Sequence, residues 1–392
     1  MAMSVGSPNN KPLRVMSLDG GGMRGIYTAA YLSCVASAFA RKRGIAGIDV
    51  GAAFDLIVGT STGGIIACAL AAGLPLSKVV DLYKEHGKAI FPRRLPRGFW
   101  GILADLRKRP RALASGDAAL RKALTDNFGE STLGVVYTER KIALAITAVE
   151  LSQHRSWVFK TPHLPNTNFR DSGFRLVDVC MATTAAPVYR SLAAVDHPDG
   201  DGKSGYNVFV DGGLWANNPV LVGMLDALEM TDKSRGIEVF CLGTCSRPAG
   251  EQVARSQIHR GLPEWKFGGE AAGLSVDAQE FAYDNVARMM ARHIDRPCEI
   301  IRFPREDVPA ALMPYLDLDE TRTEAMDALI NQGRSDANMT NSWCNDPNCR
   351  EGKYVSALFN EAPEVSSDAL NKPSLSTLPK PSPIKSDSAQ QK

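Results

Sequence analysis

One serine in this sequence lies in a pattern that is typical of a nucleophile. Ser61 falls within the stretch FDLIVGTSTGGIIACAL, with Gly59 and Gly63 two positions to either side. A Gly-x-Ser-x-Gly pattern between a buried strand and a helix makes a sharp turn that lifts the serine hydroxyl above the edge of a sheet. The N-terminus of the following helix also favours a negative charge at that point. The alternative is a glycine-rich turn whose serine only caps the helix.

A second motif, SLDGGGMRG, also leads from an apolar run into glycines and then a helix. Gly20, Gly22 and Gly25 fit G-x-G-x-x-G, the pattern that cradles the phosphates of a dinucleotide. That interpretation needs an acidic residue at the end of a second strand about 20 positions further on. The aspartates in that region, Asp49 and Asp55, are poorly placed for this role.

The same glycines can serve a different purpose, an oxyanion hole. Gly20, Gly21 and Gly22 are consecutive, so their backbone N–H groups can point into a site without obstruction. Arg24 would add positive charge beside them. Given a serine nucleophile on another strand, we favour the oxyanion hole over the dinucleotide site.

A third motif, VFVDGGLWANNP, supplies a carboxylate. Asp211 ends an apolar strand and precedes Gly212 and Gly213, so it projects from the sheet edge as Ser61 does. Partial burial would raise the pKa of this carboxyl and make it a better base. The alternative is an aspartate that starts a tight turn.

The positions of the histidines indicate which residue accepts the proton of Ser61. A Ser-Asp-His hydrolase in the usual chain order needs a histidine after Asp211. Only His259 and His293 qualify, and neither lies on a loop directly after a predicted strand. We therefore predict a dyad, in which Asp211 accepts the proton of Ser61 directly.

These motifs require an α/β framework to position them. Apolar strand-like runs alternate with segments of helical period, and their continuous apolar character predicts a mostly parallel sheet flanked by helices on both faces. The predicted strands cover 13–19, 54–58, 141–149, 207–210, 237–243 and 298–303. The predicted helices cover 23–40, 62–72, 76–86, 117–127, 175–185, 218–230, 273–293 and 320–333.

Composition narrows the functional classes. The 392 residues are 44% apolar, which is enough for a large core, and a net charge of +2 gives no reason to expect a DNA or RNA polymer as partner. No apolar run is long enough to span a bilayer, and no export signal is apparent, so we expect reduced cysteines. CNDPNC (344–349) has no second ligand pair nearby, so we expect no metal.

In this order, DGGGMRG, GTSTGG and DGG resemble the three motifs of the patatin-like phospholipase family, over residues 14–219. The resemblance implies a three-layer α/β/α fold and hydrolysis of phospholipid acyl esters through an acyl-enzyme, with no cofactor. It implies that Ser61 is the nucleophile and Asp211 the general base. The remaining motif residues are the oxyanion-hole residues Gly20, Gly21, Gly22 and Arg24 and the glycines Gly25, Gly59, Gly63, Gly212 and Gly213.

A narrower resemblance concerns regulation. TTAAPVYRSLAAV, GGLWANNPVL and LDETRTEAMDALINQGR are similar to bacterial patatin-like effectors of cyclic-oligonucleotide anti-phage signalling. This resemblance implies activation by a cyclic dinucleotide and a cytoplasmic enzyme that degrades the host membrane at its inner face. A homo-oligomer is compatible with it. Two other functions stay open: a nucleotide-binding module or oxidoreductase that uses Gly20–Gly25, and a non-catalytic sensor.

One segment suggests contact with a membrane. Between Lys88 and Arg111 there are eight basic residues and one acidic residue, Asp105, interleaved with aromatic and aliphatic side chains that include Phe99 and Trp100. Basic and aromatic residues together suit the surface of an anionic bilayer. We predict a lid or membrane-docking element; the alternative is a solvated connector whose aromatic residues pack on the core.

The domain boundaries come from composition. We predict a short N-terminal tail over 1–12, one patatin-like domain over 13–345, and a C-terminal extension over 346–392. From about residue 361 the extension is rich in proline and serine and lacks aromatic residues, so we expect it to be disordered.

Overall fold

The structure is a computed structural model of the chain. It describes residues 11–94, 105, 108–167, 169–198, 205–245, 253–261, 265 and 269–366. The predicted N-terminal tail and the end of the predicted C-terminal extension lie largely outside these ranges.

One sheet of eight strands forms the centre of the fold. The strands are β1 (Leu13–Leu18), β2 (Leu56–Thr60), β3 (Ala143–Glu150), β4 (Arg155–Lys160), β5 (Ala193–Asp196), β6 (Tyr206–Asp211), β7 (Ile237–Leu242) and β8 (Cys298–Phe303). β3, β2, β1, β7 and β8 are neighbours in that order and run parallel. β4 and β6 are antiparallel to β3, and β5 is antiparallel to β6.

Helices cover both faces of this sheet. They are α1 (Gly25–Arg43), α2 (Thr62–Ala71), α3 (Leu76–Ile90), α4 (Arg109–Phe128), α5 (Leu133–Arg140), α6 (Leu176–Thr183), α7 (Gly213–Ala216), α8 (Val220–Met230), α9 (Gly269–His293), α10 (Thr323–Asn345) and α11 (Arg350–Glu361).

The side chains of the central strands divide between two apolar cores. On β2, Ile57 packs in a core with α1–α6, α10 and α11, whereas Leu56 and Val58 pack in a second core with α8 and α9. Successive side chains of a strand point to opposite faces, so both faces of the sheet are buried. This arrangement confirms the predicted mostly parallel, three-layer α/β/α fold.

Two strands, β4 and β5, were not predicted. The sequence of β4, RSWVFK, mixes charged and apolar residues, and its first two residues are exposed. β5 has only four residues, of which two are exposed. Such short and partly polar runs form strands because a neighbouring strand offers hydrogen-bonding partners, which no local pattern reveals.

The packed part of the chain continues past the predicted boundary at residue 345. Phe359 of α11 stacks on Phe39 of α1 with ring centroids 5.3 Å apart. The Arg43 guanidinium donates to the carbonyl oxygens of Phe359, at 2.9 Å, and Ala362, at 2.7 Å. Helix α11 is therefore part of the same core rather than an extension from it. Residues 367–392 lie outside the described part of the chain.

Candidate active site

The pairing of β3 explains how two distant motifs meet. Residues 145–150 of β3 pair with β4 along one edge. On the other edge, residues up to Thr147 pair with β2, and residues from Ala148 onward pair with β6. Because β2 and β6 approach along this edge from opposite directions, their C-terminal ends meet. Ser61 follows one of these ends, and Asp211 forms the other.

Ser61 lies on a strained turn between β2 and α2. Its backbone dihedral angles are φ 53° and ψ −123°, which are rarely adopted by residues other than glycine. Its N–H donates to Thr183 Oγ1 at 2.8 Å, which helps to hold the turn. The flanking glycines are needed for space: a Cβ at Gly59 would lie 2.5 Å from the carbonyl oxygen of Gly63, and one at Gly63 would collide with the carbonyl of Leu18.

The two predicted catalytic residues are in direct contact. Ser61 Oγ donates a hydrogen bond of 2.7 Å to Asp211 Oδ2, and the N–H of Gly213 donates to Asp211 Oδ1 at 2.7 Å. Ser61 and Asp211 are 8% and 5% exposed. Burial raises the pKa of the Asp211 carboxyl to about 6, although its two hydrogen bonds act in the opposite direction. At neutral pH this carboxylate is ionised and can accept the serine proton.

The two histidines that follow Asp211 in the sequence are both exposed. His259 is exposed in an irregular stretch, and His293 is exposed at the end of α9. Since the Ser61 hydroxyl already donates to Asp211, the geometry requires no histidine as an intermediary.

The glycine loop lies against the start of α2. Thr62 Oγ1 donates to the carbonyl oxygen of Gly22 at 2.6 Å, and a Cβ at Gly25 would collide with the Thr62 side chain. A Cβ at Gly20 would lie 3.3 Å from Ser61 Cβ. The loop and the Ser61 turn are therefore packed together, as an oxyanion hole requires.

The loop does not offer all three predicted N–H groups. The N–H of Gly20 donates to the Asn217 carbonyl oxygen at 2.9 Å, so Gly20 is not an available donor and that part of the prediction is corrected. Within the described part of the chain, the N–H groups of Gly21 and Gly22 have no protein acceptor. Arg24 is buried, and its Nε donates to the Gly21 carbonyl oxygen at 3.3 Å, so this side chain holds the loop.

Several residues that support the loop were not found by sequence analysis. Thr244 Oγ1 donates to the Gly20 carbonyl oxygen at 3.0 Å, and the Leu318 carbonyl oxygen accepts from the N–H of Met23 at 2.9 Å. Asn217 lies in the NNP segment, where the sequence signals only a turn. No local motif marks these residues, because each reaches the loop from a different part of the chain.

A buried ion pair lies beside the loop. Asp19 is fully buried, and its Oδ2 accepts from Arg302 Nη1 of β8 at 2.8 Å. Burial raises the pKa of Asp19 to about 7, with Arg302 opposing the shift. Arg302 also pairs with Asp284 of α9 at 3.0 Å. This pair connects the strand before the glycine loop to the far edge of the sheet.

The basic-aromatic segment is anchored on both sides of the site, although Phe99, Trp100, Ile102 and Leu103 lie outside the described residues. Asp105 pairs with Arg93 at 2.8 Å and with Arg109, whose Nη1 donates to the Val188 carbonyl oxygen at 3.5 Å. Val188 follows Ala185, whose carbonyl oxygen accepts from the N–H of Asp211 at 3.0 Å.

On the other side, Arg94 pairs with Asp317 at 2.8 Å and with buried Glu320 at 2.9 Å. These residues flank Leu318, which contacts the glycine loop. The ends of the segment therefore lie close to both the carboxylate and the glycine loop.

The described residues contain neither a metal-binding cluster nor a membrane-spanning helix. Among the described residues, no group of three or more His, Cys, Asp or Glu side chains could hold a metal ion. All eight cysteines are free thiols. In the described part of the chain, none of the helices combines the length and the apolar character needed to cross a bilayer.

A serine on a strained strand–helix turn, hydrogen-bonded to a carboxylate and close to amide groups that have no partner among the described residues, is the arrangement of a serine hydrolase. Residues 16–224 match the Patatin family model, described as patatin-like phospholipase. The chain therefore belongs to the patatin-like phospholipase family. This confirms the predicted family and the predicted class of enzyme, a lipid acyl hydrolase.

Individual relatives are bacterial and plant proteins. The chain is 35% identical over 281 residues to a Pseudomonas aeruginosa protein named cGAMP-activated phospholipase, which covers 70% of this chain and 74% of that protein. A Vibrio cholerae protein of the same name is 30% identical over 82% of this chain and 89% of its own length. These matches confirm the narrower resemblance to the nucleotide-activated subgroup.

Among solved structures, human GIVD cytosolic phospholipase A2 matches with a TM-score of 0.44 and 11% identity. The match covers 89% of this chain and 60% of that chain.

Proposed function

We propose that this protein hydrolyses acyl esters of membrane phospholipids by a Ser61–Asp211 dyad. The observation that carries the proposal is the 2.7 Å hydrogen bond from Ser61 Oγ to the buried Asp211 carboxylate. Asp211 takes the serine proton while Ser61 attacks the ester carbonyl, and the oxygen of the resulting tetrahedral intermediate accepts hydrogen bonds from the N–H groups of Gly21 and Gly22.

The intermediate collapses to an acyl-enzyme, and the proton on Asp211 passes to the departing alcohol. A water molecule then occupies the position of that alcohol and gives a proton to Asp211 as it attacks the acyl carbonyl. Collapse of the second intermediate releases the fatty acid and returns the proton to Ser61. This cycle needs no metal or cofactor.

The names of the relatives support a regulated enzyme. We infer that a cyclic dinucleotide such as cGAMP activates this protein and that it acts in the cytoplasm, at the inner face of the membrane, as an anti-phage effector. The basic-aromatic segment 88–111 is our candidate for the peripheral membrane contact, because its described ends flank the site and carry several arginines. Replacing Phe99 and Trp100 with serine should reduce hydrolysis of vesicles more than hydrolysis of soluble esters.

The decisive experiment is lipid hydrolysis by the purified full chain, with and without a panel of cyclic dinucleotides. We expect fatty acid release that one nucleotide stimulates strongly. Asp211→Asn should lower the rate by about 10²–10⁴, the usual contribution of a general base, and Ser61→Ala should abolish it. Full activity in Asp211→Asn would contradict the dyad. Tight NAD binding without any ester hydrolysis would instead favour a nucleotide-binding module or oxidoreductase.

A further inference from the structure

One face of α9 carries large apolar side chains that have no partner within the described residues, with the polar Asn285 exposed among them. Leu274, Phe281 and Met289 are 57%, 73% and 55% exposed, which is unusual for side chains of this size. The residues between them on the same face, Ala278 and Ala282, are also exposed. We call these five residues the α9 seam.

The spacing of the seam fits a helical partner. Leu274, Ala278 and Phe281 follow one another at intervals of four and three residues, the repeat by which one helix packs along another, and Met289 follows Phe281 on the same face after eight residues. Small residues beside large ones let two helices approach closely, with the large side chains inserted into the gaps. Insertion into a bilayer would not require this alternation of small and large residues, because alanine contributes little apolar area.

The opposite face of α9 is already occupied. Ala287 is fully buried against the sheet. Gln279 Oε1 accepts from the N–H of Asn217 at 3.0 Å, and Glu280 Oε2 accepts from Asn217 Nδ2 at 3.2 Å. The seam is thus the outer surface of a helix whose inner surface supports the glycine loop through Asn217.

The charges on the exposed side favour a second α9 in antiparallel orientation. Asp277 is exposed towards the start of the helix, whereas Arg292 and His293 are exposed at its end. Antiparallel pairing brings the acidic part of one helix towards the basic end of the other, whereas parallel pairing would bring like charges together.

We propose that two copies of this chain associate through the α9 seam, as an antiparallel two-fold pair centred between Phe281 and Ala282. In this arrangement Leu274 packs against Met289 of the second copy, and Phe281 packs against Ala282 of the second copy. A two-fold pair uses the same patch on both subunits and is the commonest form of homo-oligomer. This proposal goes beyond the proposed function and does not depend on it.

The first test is the mass of the purified full chain by sedimentation across a wide range of concentrations. We expect the wild-type chain to sediment at twice the mass of one chain and Phe281→Glu to sediment as a single chain. Val135→Glu is the matched control, because Val135 is a 44% exposed apolar residue on α5, and it should keep the wild-type mass. A monomeric wild-type chain would overturn the proposal.

The second test does not rely on disrupting the surface. Ala282→Cys places two thiols close together across the two-fold axis, so mild oxidation should give a covalent dimer that reductant reverses. Val135→Cys and the unmodified chain, with its eight cysteines, are the controls and should give little dimer. An equal amount of covalent dimer in all three samples would refute the pairing.

Binding to anionic vesicles gives a third outcome. If Phe281→Glu sediments at the same mass as the wild-type chain but no longer binds anionic vesicles, the seam contacts a membrane and the proposal is refuted.

Discussion

Thr147 and Ala148 are consecutive residues of β3, yet they pair with different strands. Thr147 pairs with Thr60 at the end of β2, and Ala148 pairs with Asp211 at the end of β6. The hydroxyls of Thr60 and Thr147 lie 2.7 Å apart. This junction sets the position of Asp211 relative to Ser61, although 150 residues separate them along the chain.

The first prediction concerns the space at this junction. A Cβ at Gly212 would collide with the hydroxyl of Thr147 and lie 2.6 Å from its carbonyl oxygen. We expect Gly212→Ala to displace Asp211 and to lower kcat on a soluble ester by about 10²-fold, the usual effect of misplacing a catalytic group by about 1 Å.

Gly205 provides the control for this change. It immediately precedes β6, and a Cβ there would meet nothing within 4 Å. Gly205→Ala should therefore retain wild-type kcat. Equal kcat in the two variants would show that the junction does not control the position of Asp211.

The second prediction concerns the glycine loop. Gly22 has φ +56°, and a Cβ there would lie 2.5 Å from the Leu318 carbonyl oxygen. Gly22→Ala should shift the loop and remove an N–H donor from the site. We expect kcat to fall by about 10²–10³, the loss that is typical when one oxyanion-hole donor is removed.

Gly44 separates backbone strain from catalysis. It has φ +65° at the end of α1, and a Cβ there would meet nothing within 4 Å. Gly44→Ala should lower the free energy of unfolding by about 1–2 kcal/mol, the cost of a left-handed backbone for alanine, and leave kcat unchanged. If both variants lowered kcat equally, strain rather than lost hydrogen bonding would be the cause.

The third prediction is a dependence of activity on pH. Burial raises the pKa of Asp211 to about 6, and the carboxyl must be ionised to accept the proton of Ser61. We therefore expect kcat/KM to fall as pH decreases through about 6, by about tenfold per pH unit below it.

The raised pKa of Asp211 affects stability in the opposite direction, because it makes the folded state less stable as pH rises, whereas activity increases. Between its ordinary pKa and about 6, the folded state holds a proton on Asp211 that the unfolded chain has lost, so this group's contribution to the free energy of unfolding decreases as pH rises.

Asp336→Asn is the control for the pH dependence of activity, since Asp336 is another buried carboxyl and accepts a hydrogen bond from Tyr27. In this variant kcat/KM should still decrease below a pH of about 6. If that decrease disappeared, Asp211 would not be its source.

The fourth prediction concerns the ion pair beside the loop. Arg302→Gln would leave the fully buried carboxylate of Asp19 without its charged partner. We expect the free energy of unfolding in urea to fall by about 3 kcal/mol, the lower end for a broken buried pair, because the Arg302 side chain is 24% exposed.

Arg350 offers a comparison on the surface. It pairs with Glu299, but its side chain is 64% exposed. Arg350→Gln should cost at most about 1 kcal/mol, as exposed pairs usually do. A similar cost for both variants would mean that the Asp19–Arg302 pair contributes no more than a surface contact.

Much of the fold could be read from local pattern. The strands β1, β2, β3, β6, β7 and β8 were predicted to within a few residues, because each is a short apolar run bounded by turn residues. Ser61, Asp211 and the glycine loop could be predicted as a candidate site because a strained turn and a close backbone approach require glycine at fixed spacings. Those requirements act within a few residues of one another, so they leave a signature in the sequence.

What the sequence could not indicate is how separate segments meet. Gly20 was predicted as a hydrogen-bond donor to substrate, but the carbonyl of Asn217, nearly 200 residues away, already accepts its N–H. The strands β4 and β5 and the packing of α11 could likewise not be predicted, since each depends on a neighbour that is distant along the chain. The residue types with catalytic potential were therefore determined locally. The contact between Ser61 and Asp211, and the burial that raises the pKa of Asp211, exist only because β2 and β6 end side by side on β3.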